Sequence, residues 1–444
     1  MPPFTSWLLS KPRMTQGDVV AALDIGTSKI ACFIARADKD EPPRVIGIGH
    51  QLSEGIRNGA VANIDALQKS ISLAVATAEQ MAGGNIERVT VNVAGPLLQS
   101  QTVNIELPLN GREIHDSDLQ RVITQGQSLA PDDAQGKPLE LLHALPVNYT
   151  LDNQKGIRDP VGMTGTLLHT QLHLVSAAFG PVRTLATAIE RCHLEVEKLV
   201  AAPYASGLAC LVEDEMDLGC LVIDMGAGTT SFAVFFDGNV VYTDGIPVGG
   251  AHVTNDIARG LTTSVTNAER LKTLYGNAVP SSMDEREVID VPQIGEEQPE
   301  NAYHVPKSQL IRIIQPRLEE IFELLRAKLD KSGFSEVAGR RVVLTGGASQ
   351  LAGVRELGQR MLDKQVRLGR PLRVARPHSA SSKSGGASFT GLAEATSGPA
   401  FATTAGLLAV AMQPELANSG SLGELIGGGS QMFGRVGQWL RQNM

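Results

Sequence analysis

The chain has 444 residues, a formal net charge of −8 and an aromatic content of 4%, which leaves room for roughly two to four domain-sized units of about 100–200 residues and speaks against a nucleic-acid partner. Its four cysteines, Cys32, Cys192, Cys210 and Cys220, have no metal-binding spacing and sit in apolar contexts, the pattern of reduced core thiols in a cytosolic protein. No stretch approaches the roughly 18 apolar residues of a membrane span, so any membrane contact is expected to be peripheral.

Residues 1–18 read as a disordered tail, because Trp7-Leu8-Leu9 is too short for a secretory apolar core and Lys11 and Arg13 follow that run instead of preceding it. Next comes Val20-Ala21-Ala22-Leu23-Asp24-Ile25-Gly26-Thr27-Ser28-Lys29-Ile30. An apolar run, an aspartate, a glycine turn rich in hydroxyls and a second apolar run predict a tight hairpin between buried strands. Gly26 lets backbone N–H groups approach phosphate oxygens, and Thr27 and Ser28 add donors. Asp24 can hold Mg²⁺ through water, since that ion keeps much of its hydration shell. Lys29 either reaches a phosphate or faces solvent.

A strand over 45–49, a helix over 65–81 with Leu67, Ile71, Val75 and Ala78 on one face, and a strand over 89–94 complete a β-β-β-α-β unit. Residues 97–175 break the pattern with short strands, a helix over 117–129 and a Gly/Pro-rich string over 156–165, and read as an insertion. A helix near 183–192 returns to the parent unit, and another near 203–211 opens a second half. There the phosphate-gripping device recurs as Cys220-Leu221-Val222-Ile223-Asp224-Met225-Gly226-Ala227-Gly228-Thr229-Thr230. Asp224 matches Asp24, and Gly226, Ala227, Gly228 and Thr229 form the second tip. Two such tips in two similar halves are expected to clamp one nucleotide.

Ile246-Pro247-Val248-Gly249-Gly250 leads into a helix from Ala251, and residues 285–300, acidic and proline-bearing, read as a loop or irregular strand. Helical periodicity over 308–329 contains Pro316, which is expected to kink or split the helix. A strand over 341–344 ends in Thr345-Gly346-Gly347-Ala348, followed by a helix over 351–361, a Ser/Gly/Ala-rich mobile loop over 377–400 and a small-residue helix over 403–412. Residues 413–430 read as a flexible linker. In the terminal segment 431–444, Met432, Phe433, Val436, Trp439 and Leu440 fall within a helical arc of about 120°. That is the pattern of a helix lying in a bilayer interface, with Trp439 at headgroup depth and arginines near anionic lipid. Docking on the protein's own core is the alternative, and the long tether argues against it.

The three turns, Asp24-Ile25-Gly26-Thr27, Asp224-Met225-Gly226-Ala227-Gly228-Thr229 and Leu344-Thr345-Gly346-Gly347-Ala348, resemble the two phosphate motifs and the adenosine motif of the actin-like ATPase superfamily. Within it the chain resembles the FtsA family of bacterial cell division proteins. The insertion in the first half, Asp159-Pro160-Val161-Gly162-Met163-Thr164-Gly165, Ile314-Gln315-Pro316-Arg317 and the tethered amphipathic C-terminus carry that likeness. The resemblance implies an α/β actin-like fold, two duplicated βββαβ halves around a nucleotide cleft with a subdomain inserted in each. The first core would span 19–96 and 176–203, its insert 97–175, the second core 204–250 and 334–412, and its insert 251–333.

The resemblance also implies ATP and Mg²⁺ as cofactors, with Asp24 and Asp224 on the metal and Gly249 and Gly250 among the nucleotide-binding residues. Gly346, Gly347 and Ala348 would let the backbone pass the adenosine. Glu269 would accept from ribose hydroxyls and Lys272 lie near the base, although alone this pair reads as a solvated helix pair. The implied partners are the C-terminal tail of FtsZ, other divisome proteins, further copies of the chain in filaments, and the inner face of the cytoplasmic membrane at the division site. Arg317 would meet an acidic tail, or else pair with Glu320 or Glu319 of its own helix. The stretch 199–207 offers no carboxylate or amide to orient an attacking water, so slow or negligible ATP turnover is expected. A PilM-like scaffold of a pilus or secretion assembly is the alternative, and it would lack the amphipathic C-terminus.

Overall fold

In the computed structural model the described residues are 18–37, 44–129, 136, 138–295, 303–371 and 396–412. The expected N-terminal tail, the loop as far as residue 395, the linker and the interfacial helix with Met432, Phe433, Val436, Trp439 and Leu440 lie outside them.

The first apolar run and its sequel fold as β1 (Asp18–Ile25) and β2 (Lys29–Ala37), paired antiparallel, with β3 (Arg44–Leu52) on the far edge of β2. A short ribbon, β4 (Ile56–Arg57) and β5 (Ala60–Val61), precedes α1 (Ile64–Ala82). Asn63 caps α1 by accepting from the N–H groups of Asp65 and Ala66, and Gly83 ends it in the left-handed conformation. The face bearing Leu67, Ile71, Ala74, Val75 and Ala78 is buried on the sheet. The approach is close because a Cβ on Gly49 of β3 would stand 1.9 Å from the Ala74 carbonyl oxygen. β6 (Arg88–Val93) then pairs parallel with β1.

The insertion forms β7 (Leu98–Pro108), α2 (Asp116–Ser128), β8 (Leu139–Leu151), β9 (Gln154–Ile157) and β10 (Leu167–Ala178). They make a four-stranded antiparallel sheet, β7-β10-β8-β9, with its own core around Ile105, Ile114, Val122, Leu168 and Leu172. The chain returns through α3 (Phe179–Glu190), which starts earlier than its periodicity suggests, and β11 (Glu195–Ala201), then continues into α4 (Ala202–Cys210) and α5 (Glu213–Leu218). The first sheet thus runs β11-β6-β1-β2-β3.

The second half repeats this with β12 (Cys220–Met225), β13 (Thr230–Phe236) and β14 (Asn239–Ile246). Its insertion holds α6 (Gly250–Gly260), α7 (Val265–Tyr275), the ribbon β15 (Val288–Val291) with β16 (Tyr303–Pro306), and α8 (Lys307–Ser332). β17 (Arg341–Thr345), α9 (Val354–Leu362), β18 (Gln365–Leu368) and α10 (Ala402–Met412) follow. The second sheet runs β14-β13-β12-β17-β18, the same order and strand senses as β3-β2-β1-β6-β11, so the duplication read from the turns extends to whole sheets.

Two expectations change. α8 runs through Pro316 as one 26-residue helix and is not split. Leu310, Ile311 and Ile314 before the proline and Leu318, Ile321, Phe322, Leu325 and Leu329 after it bury one continuous stripe. Burial of eight apolar side chains at about 1.5–3 kcal/mol each outweighs the roughly 3 kcal/mol cost of the proline. Secondly, α10, expected with the second core, packs against β1, β2 and β6 of the first sheet, while α4 packs against β12 and β13 of the second. The two helices pack on each other between the sheets, each on the sheet opposite the one that holds its preceding strand; for α4 this is its expected place at the start of the second half.

The first insertion is fastened to the second half by a buried polar cluster. His173 of β10 lies 3.1 Å through Nδ1 from the Val240 carbonyl oxygen and 2.6 Å through Nε2 from Ser100 Oγ, and Ser100 Oγ accepts from the Thr243 N–H at 2.8 Å. Burial pushes His173 down from 6.5 to about 3, with nearby His143 adding to the effect and the Val240 bond opposing it. The unfolded chain therefore binds a proton on this histidine below 6.5 that the folded chain refuses, and stability falls as pH drops from 6.5 towards 3. His173→Asn, which keeps a donor for Val240 but cannot titrate, should remove about 2 kcal/mol of the stability difference between about pH 7 and pH 5. Denaturant titrations of both proteins at the two pH values test this; parallel pH profiles would refute it.

Candidate functional site

The two hairpin tips have the same local geometry. The Gly26 N–H donates to the Lys29 carbonyl at 3.0 Å, and the Gly226 N–H donates to the Thr229 carbonyl at 2.9 Å. At both glycines a Cβ would stand 2.9 Å from that same carbonyl oxygen, so neither turn accepts a side chain without shifting. The tips face each other: a Cβ on Gly228 would lie 2.5 Å from Thr27 Oγ1, and Thr229 reaches between Gly59 and Gly95 of the first half.

Beside the tips lies a cavity of about 660 Å³ between the halves. Of the residues singled out in the sequence, Asp24, Gly26, Thr27, Ser28, Lys29, Asp224, Gly226, Ala227, Thr229, Gly250, Glu269, Lys272, Gly346, Gly347 and Ala348 line it. Gly228 and Gly249 stand behind the wall, Gly228 against Thr27 and Gly249 against the Gly226 and Ala227 carbonyls. The start of α6 is laced to the second tip, with the Gly250 N–H donating to the Gly226 carbonyl at 2.9 Å and the Ala251 N–H to the Ala227 carbonyl at 2.8 Å. Gly346, at φ 83°, is where the third turn passes the second aspartate: a Cβ there would stand 2.4 Å from Asp224 Oδ1.

Both aspartates are held by hydroxyls. Thr404 Oγ1 donates to Asp24 Oδ2 at 2.9 Å, while Thr403 Oγ1 and Ser206 Oγ donate to Asp224 Oδ2 at 2.8 and 2.9 Å. Burial pushes the Asp24 carboxyl up to about 6, opposed by the Lys29 ammonium and reinforced by Asp224. Burial likewise raises Asp224, against the pull of its hydroxyl donors. Two desolvated carboxylates on one cavity are an unfavourable arrangement by themselves and a suitable one for a hard divalent cation with oxygen ligands.

Lys29 does not simply face solvent, and it lies on the cavity wall. Its ammonium donates to the Ala400 carbonyl and lies 3.6 Å from the Phe401 ring centroid, and burial lowers its pKa. Glu269 and Lys272 are brought together as an i,i+3 pair at 2.7 Å on the cavity wall, and Lys272 Nζ also donates to Thr254 Oγ1 at 2.8 Å and to the Gly250 carbonyl at 3.2 Å. Arg317 lies away from the cavity. Its Nε donates to Asp256 Oδ2 at 2.6 Å, Nη2 to Asp256 Oδ1 at 3.2 Å, and Nη1 pairs with Glu320. The intrahelical pair with Glu320 therefore forms and is joined by Asp256 of α6, whereas Glu319 is taken by Gln315 at 2.7 Å.

Sequence reading missed Ser206, Thr403, Thr404 and Asn92, whose Oδ1 accepts from the Ile25 N–H at 2.7 Å behind the first tip. A signal existed for the threonines. They are the only polar side chains in α10, every residue of which is buried, and a buried hydroxyl has a partner.

Two duplicated sheets with two crossing helices between them and facing Asp–Gly hairpins on one crevice define an actin-like ATPase fold. A solved PilM–PilN type IV pilus biogenesis complex has the same architecture, with a TM-score of 0.61 over 89% of this chain and 99% of that chain at 18% identity. In sequence, residues 221–406 match the family model for cell division protein FtsA, and residues 95–176 match that for the SHS2 domain inserted in FtsA. The chain is 43% identical over 441 residues to the FtsA of Rhizobium meliloti, covering 96% of this chain and 95% of that one. It is 30% identical to the FtsA of Escherichia coli strain K12, covering 97% of both. The chain belongs to the FtsA family of cell division proteins.

Proposed function

We propose that this protein binds ATP with Mg²⁺ in the crevice and tethers filaments of FtsZ to the inner face of the cytoplasmic membrane through residues 431–444, polymerising on that surface and recruiting later division proteins. The observation that carries the nucleotide reading is the convergence of both Asp–Gly tips and the Gly346 turn on one 660 Å³ cavity. Thr27, Ser28, Ala227 and Thr229 supply phosphate donors, Glu269 and Lys272 stand towards the ribose and base, and Asp24 and Asp224 would hold the metal, which supplies charge neutralisation for the phosphates. α4 (Ala202–Cys210) carries no carboxylate or amide towards the cavity, which supports a nucleotide used to close the crevice rather than consumed at speed. Turnover at about 1–100 per second, as in phosphoryl-transfer enzymes, would overturn that part.

The FtsZ tail is assigned to the second insertion, where Met283, Val288 and Tyr303 expose apolar surface. Arg317 ties α8 to α6 there, and a partner's carboxylate reaches it by replacing Glu320, the more exposed of its two acceptors. Among the described residues no helix is long and apolar enough to cross a membrane. The side chains of Met432, Phe433, Val436, Trp439 and Leu440 would contribute about 5–10 kcal/mol on burial in the interface before ordering costs. One copy binds weakly and a filament binds tightly through effective concentration. Trp439→Glu should abolish co-sedimentation with anionic liposomes, and with it recruitment of FtsZ to them, while MgATP binding is retained. Equal sedimentation of variant and wild type would remove the membrane claim, and absence of MgATP binding by the wild type would remove the nucleotide claim.

A further inference from the structure

The first turn of α10 stands between the two aspartates. Neighbouring residues of a helix point about 100° apart, and here that angle splits Thr403 and Thr404 between opposite halves: Thr404 bonds Asp24 Oδ2 at 2.9 Å and Thr403 bonds Asp224 Oδ2 at 2.8 Å. Both threonines are buried, at 0% and 8% exposure for Thr404 and Thr403. Each hydroxyl takes the same oxygen of its carboxylate, so Oδ1 of both aspartates is left outside these bonds. The helix start is itself fixed in both halves. The Pro399 carbonyl accepts from the Gly346 N–H and from Thr345 Oγ1, each at 3.1 Å, and Phe401 stacks on Phe33 at 5.7 Å.

We propose that Thr403 and Thr404 are positioning residues for a divalent cation, holding the two carboxylates from one rigid helical turn so that Oδ1 of each is presented to the cavity at a set separation. This rests on the reading of the crevice as a nucleotide–metal site. Without Thr404 the Asp24 carboxylate loses its hydroxyl donor, and without Thr403 the Asp224 carboxylate keeps only Ser206 at 2.9 Å, so more of the ordering must then be supplied by the ion. The proposal confines their effect to the metal: Thr404 does not line the cavity, and Thr403, which does, turns its hydroxyl to Asp224.

The test measures ADP affinity of the full chain by calorimetry or a fluorescent analogue, once with excess Mg²⁺ and once in EDTA. The ratio of the two affinities is the readout. Thr404→Val should lower affinity with Mg²⁺ about tenfold, the worth of a hydrogen bond to a charged group, Thr403→Val should lower it less because Ser206 still holds Asp224, and both should leave affinity in EDTA within about twofold. Thr403→Ser and Thr404→Ser keep the hydroxyl, lose only a methyl, and should bind as the wild type does. A wild type with no nucleotide affinity would sink the underlying reading. A wild type with clear Mg²⁺ dependence would overturn the proposal alone in either of two cases: valine variants that keep the ratio, or serine variants that lose it. Should a valine variant not fold, the same ratio measured on Thr404→Ala, which also lacks the hydroxyl, decides.

Discussion

Gly406→Ala should destabilise the protein by about 2–4 kcal/mol, and Gly406→Val should prevent folding. On helix propensity alone the sign would be opposite, since alanine is favoured over glycine by about 1 kcal/mol inside a helix. Here the added Cβ would stand 1.8 Å from the Ala205 carbonyl oxygen and 2.8 Å from Ala205 Cα. Those atoms are backbone of α4, so no side chain can swing aside, and α4 and α10 must separate by more than 1 Å within a region buried on every side. Overpacking a well-filled core costs about 1–3 kcal/mol, and more when backbone must move. Denaturant unfolding measures the effect directly. An alanine variant as stable as the wild type would mean that the two crossing helices do not approach this closely.

Asp24→Asn and Asp224→Asn should each reduce MgADP affinity by about a hundredfold or more, equal to about 2.7 kcal/mol, without lowering the stability of the ligand-free protein by more than about 1 kcal/mol. The two effects separate because the carboxylates are costly in the empty crevice. Burial holds Asp24 up at about 6 against an ordinary 3.8, so its ionisation at neutral pH works against folding, and asparagine removes that cost. Asparagine still accepts from Thr404, or from Thr403 and Ser206. A residue kept for the core would show the reverse, with a lower melting temperature and unchanged affinity. Calorimetric titration with MgADP and a melting curve on each variant decide. Wild-type affinity in Asp24→Asn would exclude that carboxylate from the metal site.

Much of this molecule is legible locally. Asp24 through Lys29 and Asp224 through Thr229 announce hairpins because an apolar run, a glycine and a second apolar run leave few other options, and the repeated pattern announces the duplication. Leu67, Ile71, Val75 and Ala78 give α1 its face at the expected spacing. What stays hidden depends on residues far apart in the chain. Lys29 finds its acceptor in Ala400, Asp24 its donor in Thr404, and Arg317 its carboxylate in Asp256, and no local period encodes such pairs. Pro316 misled for a related reason: its local penalty is real, but the stripe on either side belongs to one packing surface. The exchange by which α10 packs on the first sheet is equally invisible locally, because every residue of that helix is buried and so favours no sheet over the other.

That exchange has a mechanical consequence. α10 is the last described element, and the chain continues from Met412 towards residues 431–444, the segment proposed for the lipid surface. Any tension arriving through those residues would be borne first by a helix wedged between the two sheets, with a threonine on each aspartate at its far end. The helix cannot give without loosening the seam it fills. If the proposed function holds, a pull on the C-terminal residues would reach the two aspartates through this one helix, so that load and ligand binding would be coupled there.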